Sequence, residues 1–252
     1  MQSPTAKALA GMLLAPPASE SRAPLGHAAA DAVLRGGLLR GNLHEVFAVD
    51  ASGFGFAACL ARRAAGAKRM LWIVQDFSGL EHGQVAATGL AEMGIDPTAA
   101  LLMKAANATD ALRASTDALS CAALGAVVVE VPGNPKVLDL TASRRLVLAA
   151  QTKGVTAILL RSEAQVEPSA AQTRWCVRSA ASRPHDDWGA PRFDAELARN
   201  RQGETGHWIM EWCCDDSAFH DADREAAHPG FVAAEAFDRP AASPAQGFRR
   251  AG

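Results

Sequence analysis

Two stretches of this chain, AVVVEV at 126–131 and VTAILL at 155–160, are apolar almost without a break. Strands of that length without polar alternation have no face to turn to water, so they belong in a parallel sheet covered on both sides by helices. The rest of the chain from residue 31 fits the same requirement. Strand-like segments at 44–50, 70–76 and 99–103 alternate with helical patterns at 56–65, 84–93, 108–123 and 138–153, the signature of βαβ units. Asp31 stands as the cap of a short opening helix, and Gly36, Gly37 and Gly41 interrupt the chain around Leu38 and Leu39. Beyond residue 165 the rhythm changes to polar–apolar alternation over 172–180, 192–200 and 207–212, with a turn at 200–206. That pattern describes a β-meander with one wet face. The expected fold is α/β: a parallel sheet flanked by helices, with an antiparallel β-meander at its C-terminal edge and disordered tails. The core spans 31–214, residues 1–30 form a flexible N-terminal segment, and the acidic, aperiodic stretch 215–252 reads as a disordered tail.

Composition removes whole classes of function. A formal net charge of −2 excludes a histone-like or polybasic protein. No run of about 18 apolar residues exists, so no membrane-spanning helix is expected. The apolar run at 8–15 follows a single charge, Lys7, and reads as a helix or lead-in rather than a signal peptide, which places the protein in the cytoplasm. Cys59, Cys121, Cys176, Cys213 and Cys214 are odd in number, scattered and without a C-x-x-C pair, which fits neither a disulfide framework nor a zinc ribbon. His185-Asp-Asp and His220-Asp-Ala-Asp each offer imidazole and carboxylate, but no second ligand cluster accompanies either, so no metal is expected. The nucleophile motif G-x-S-x-G is absent, and only two glycines of a dinucleotide fingerprint are present near residue 53.

The segment after the first strand carries the most information. A phosphate-binding loop reads G-x-x-x-x-G-K-[ST]: glycines let backbone N–H groups reach phosphates, the lysine neutralises charge and the hydroxyl holds Mg²⁺. Here the aligned residues are Ala48 to Gly55. Gly53 keeps its place, but Phe54 stands at the lysine position and Gly55 at the hydroxyl position. By itself the stretch fits either an ordinary strand-to-helix turn or a degenerate nucleotide loop.

Its surroundings resemble a known architecture. DAVLRGGLLRGNLHEVFAV (31–49) resembles the entry to the RecA-like ATPase core, and GIDPT (94–98) resembles RecA's link into its third strand. VVVE (127–130) takes the Walker B place, with Glu130 where a magnesium-associated aspartate would stand. ELARNRQGETG (196–206) and IMEW (209–212) resemble the terminal hairpin of RecA relatives. The resemblance covers about 31–213. Within that superfamily the chain resembles the ImuA family through GNLHEVF (41–47), a lysine-free loop ending in Gly-Phe, LWIV (71–74) and the late RNRQG and EW block (199–212). The resemblance implies a non-catalytic, cofactor-free accessory protein of SOS-induced error-prone translesion DNA synthesis. Its implied partners are an ImuB-type Y-family polymerase homologue, an error-prone replicative-type polymerase and RecA. Two rival readings stay open: an active ATPase using Lys68 or Lys104, and a SulA-type cell-division inhibitor.

Two further groups of residues stand as binding candidates. Arg174, Arg178, Arg199 and Arg201 cluster on the alternating strands and their turns, where they are either solvated or contact DNA phosphates weakly. Phe231, Phe237 and Phe248 are spaced through the small, polar tail, as in a segment that folds on binding a partner; the competing reading is a solvating tail.

Overall fold

The computed structural model describes residues 21–76, 85–182 and 189–222. Its centre is a nine-stranded sheet. The strands are β3 (Leu43–Ala48), β4 (Arg69–Gln75), β5 (Ala100–Ala105), β6 (Leu124–Glu130), β7 (Thr156–Ser162), β8 (Thr173–Ser179), β9 (Arg192–Asn200), β10 (Gly206–Cys213) and β11 (Ala218–Asp221). They lie in the order β11-β10-β9-β8-β3-β7-β6-β4-β5. Strands β8, β3, β7, β6, β4 and β5 run parallel to their neighbours, and β9, β10 and β11 extend the sheet antiparallel from β8. The meander therefore starts on a strand that is itself parallel to β3.

Helices cover both faces. α2 (Ser52–Ala65) lies on one face, where Phe56, Leu60 and Ala61 pack against Val46, Val128, Ile158 and Trp175. α4 (Ala108–Leu119) and α5 (Leu140–Lys153) cover the other, closing over Leu43, Ile73, Val127 and Leu159. Side chains alternate across a strand, so the unbroken apolar run of β6 feeds both cores at once, and every residue of it is buried. The helices start where the sequence offers a side-chain acceptor: Asn107 caps α4 through the Asp110 amide and Asp139 caps α5 through the Ala142 amide.

The structure departs from the sequence reading at both ends of the core. Order begins before residue 31: β1 (Arg22–Ala23) pairs with β2 (Leu38–Leu39), and Ala23, Leu25 and Ala30 are fully buried. The opening helix α1 (Ala28–Val33) is capped by His27 rather than Asp31. Asp31 instead accepts the Leu25 and Gly26 amides, holding the entering strand against the helix. At the other end, residues 215–222 are not tail. β11 places Phe219 in an aromatic cluster with Phe56 (ring centroids 5.3 Å apart), Trp212 (5.0 Å) and Phe193 (6.1 Å). A four-residue strand with one large anchor is too short to show a period, and that anchor outweighs the acidic composition around it. Phe231, Phe237 and Phe248 lie outside the described residues. Among the described residues no helix is long and apolar enough to cross a membrane.

Candidate functional site

In parallel sheets covered by helices, ligands collect at the carboxyl ends of the strands, where the loops diverge. A cavity of about 240 Å³ lies at that end of β4, β5 and β6, beside the start of α2 and under α3 (Ala87–Glu92). Its walls include Phe54, Trp72, Leu90, Met93 and Leu102, with Asp76, Lys104 and Glu130 as ionisable members. Phe54, Gly55 and Glu130, read separately from the sequence, therefore meet around one space.

The loop that enters this space differs from the sequence reading of 51–55 as loop. Ser52, Gly53, Phe54 and Gly55 form the first turn of α2. Asp50 is the reason. Its Oδ1 accepts the Ser52 amide at 2.9 Å, and its Oδ2 accepts the Ser179 amide and hydroxyl at 3.0 and 2.8 Å. The Gly53 and Phe54 amides donate to the Asp50 and Ala51 carbonyls. A helix N-terminus favours an anion because its first amides are unpaired. Here the chain's own carboxylate supplies that anion. Burial alone would raise the Asp50 carboxyl, but the Ser179 and Ser52 hydrogen bonds hold it down at about 2. Gly53 has a packing role: a Cβ there would stand 2.3 Å from the Ala48 Cβ.

Glu130 ends β6 and points into the cavity. The Trp72 indole N–H donates to its carboxylate, and the residue is only 5% exposed. Burial pushes its carboxyl up to about 7, against the opposing hydrogen bond from Trp72. A magnesium-holding acid must be ionised and oxygen-rich, and this one gives up much of its charge near neutrality. Of the two lysines considered as replacements, Lys104 lines the cavity, whereas the Lys68 ammonium donates to the Ala122 carbonyl at the other end of β4.

The four arginines do not form one patch. Arg174 is buried and ion-paired with Glu45 at 2.8 Å, with further bonds to the Glu167 carbonyl and the Ser169 hydroxyl, so it is withdrawn from any phosphate-contacting role. Arg199 and Arg201 both donate to the Ser169 carbonyl and lie close to it. Arg178 sits four residues further along β8, paired with Asp194, and its side chain is 64% exposed. Polar partners at a strand end claimed the guanidinium that sequence spacing alone had grouped with the others.

The GNLHEVF stretch also serves the framework. The fully buried His44 ring bonds the Thr173 hydroxyl (2.7 Å) and the Leu39 carbonyl (2.8 Å), and burial lowers its pKa to about 4. The Arg161 and Arg174 guanidinium groups both lie over the Phe47 ring, at 5.3 and 5.4 Å.

No family model matches the chain. Two curated proteins, each called Protein ImuA and from two strains of Caulobacter vibrioides, are 30% identical to it over 199 residues. The matched region covers 70% of this chain and 77% of theirs.

Proposed function

This chain belongs to the ImuA family, and from that premise we propose that it is a non-catalytic, RecA-like accessory protein of SOS-induced error-prone translesion DNA synthesis. It works beside an ImuB-type Y-family polymerase homologue and an error-prone replicative-type polymerase, with RecA as a further contact. One observation carries the non-catalytic reading. The amides that would cradle a phosphate at the start of α2 are already engaged by Asp50 and by the loop's own carbonyls. Phe54 adds an apolar ring where charge must be neutralised. Phosphoryl transfer depends almost wholly on positioning and charge stabilisation, and this loop offers neither.

Among the rival readings, Lys104 in the cavity wall favours a divergent ATPase. Bound ligand raises stability by mass action, about 2.7 kcal/mol at a hundredfold excess over Kd. The purified protein should therefore melt at the same temperature with and without ATP·Mg²⁺ and show no turnover above background. A thermal shift and turnover that both vanish in Lys104→Ala would establish the ATPase instead. Capture of the polymerase partners from DNA-damaged cells supports the accessory role. Capture of the tubulin-like division protein alone points to a SulA-type inhibitor.

A further inference from the structure

We propose that Cys213, Asp216 and His220 form a binding site for one zinc-class divalent ion on the β10–β11 hairpin. The register builds the site. Cys213 faces Ala218 and Glu211 faces His220 across the antiparallel pair, so all four side chains share one face of the sheet. Trp212 and Phe219, opposite each other, occupy the inner face and are fully buried. The small Ala218 side chain leaves room for the His220 ring and the Cys213 thiol to approach diagonally. The turn between the strands brings Asp216 over the same spot. Its Oδ2 lies 2.8 Å from His220 Nε2, and the Cys213 thiol also hydrogen-bonds to it.

One donor atom from each residue lies within 4.8 Å of the other two. Tetrahedral zinc has bonds of about 2.0–2.3 Å, which sets its ligand atoms about 3.3–3.8 Å apart. The 2.8 Å Asp216–His220 side must open to that spacing, and the sides to Cys213 lie within 4.8 Å, so side-chain rotation alone can set the triangle. Binding would replace the hydrogen-bonded protons among the three groups, since each must be deprotonated to ligate. The donor set chooses the metal class: thiolate with imidazole suits zinc and its borderline-soft neighbours and discriminates against magnesium and calcium. Cys213 and His220 are half-buried and Asp216 is exposed, which provides a path for entry. Three protein ligands leave the fourth position for water or for a donor from outside the hairpin. The core-to-tail boundary expected at 214–215 falls between Cys213 and the other two residues and masks their C-x₂-D-x₃-H spacing.

The full chain, prepared in a phosphine reductant and treated with chelator, is titrated with Co²⁺ as an optical probe. One equivalent should bind, with a thiolate-to-cobalt charge-transfer band that Zn²⁺ bleaches and a higher melting temperature for the zinc-loaded protein. Cys213→Ser and His220→Ala should each abolish the band, and Asp216→Asn should weaken affinity about tenfold or more, at least as much as losing a residue that merely orients a ligand. Cys121→Ser, which removes an exposed cysteine elsewhere, should leave the band intact. If Cys213→Ser does not fold, Asp216→Asn in the exposed turn decides the matter. The proposal is overturned by binding that does not saturate, by a band that survives Cys213→Ser, or by affinity unchanged in Asp216→Asn.

Discussion

Replacing Glu130 with Gln should stabilise this protein, and by an amount that depends on pH. The carboxyl is 5% exposed in an apolar-walled cavity, and burial raises its pKa from 4.5 to about 7. As pH climbs from 4.5, the unfolded chain releases this proton while the folded chain retains it. Folding stability therefore falls across the window from 4.5 to 7 and levels off above it. At about 1.4 kcal/mol per unit, the full cost at pH 8 is about 3 kcal/mol, and at pH 5 it is under about 1 kcal/mol. Glutamine has nearly the same shape, carries no charge, and its amide oxygen can still accept from the Trp72 indole. At pH 8 Glu130→Gln should thus melt roughly 6–12 °C above the parent, with the gap shrinking to a few degrees at pH 5. Thermal unfolding of both proteins between these pH values measures it. A gap that is constant with pH, or a variant less stable at pH 8, would show that Glu130 is ionised at little cost.

Four other outcomes follow from specific contacts in the fold. Asp50→Ala removes the acceptor at the start of α2 and the tie to Ser179, costing about 1 kcal/mol in chemical denaturation at pH 7; because the folded pKa is depressed, this loss should disappear as pH falls from 3.8 through about 2. A chain ending at Asp216 should lose much of its stability, since removing the fully buried Phe219 ring alone is worth about 3–5 kcal/mol, and Phe219→Ala in the full chain should lose a comparable amount in urea unfolding. Arg174→Ala leaves Glu45 buried without its ion-pair partner, and a loss of about 3 kcal/mol or more is expected in urea unfolding. DNA binding through Arg199 and Arg201, measured by fluorescence anisotropy, should be weak and vanish by about 0.2 M salt, because few phosphates are neutralised; nanomolar affinity at about 0.3 M would refute it.

The strands that have no wet face were the most legible part of the chain. A run such as 126–131 can be satisfied in few other ways, and its strand forms within two residues of the expected place. The meander strands β9 and β10 were legible for the opposite reason, since alternation marks a single buried face; β8, parallel to β3, is buried at consecutive positions and does not alternate. Short elements escaped. β1, β2 and β11 have two to four residues each, too few for a period. At the site, residue types were readable at Phe54, Gly55 and Glu130, but not what they meet. The engagement of Asp50 with Ser179 joins positions that adjoin only because β8 pairs with β3. The burial of Arg174 depends on the same pairing, which sets Glu45 beside it.

That pairing also dictates when the chain can fold. β3 is the first strand of the large sheet to be made, yet both of its neighbours, β7 and β8, are encoded over a hundred residues later. Contacts of such long range close slowly, because loop entropy is lost before any pairing energy returns. On a ribosome adding about 5–20 residues per second, β3 waits several seconds or longer with both hydrogen-bonding edges and a wholly apolar α2 face unsatisfied. A nascent chain halted before β8 cannot complete this fold, and that interval is when the protein is most exposed to proteases and to capture by chaperones.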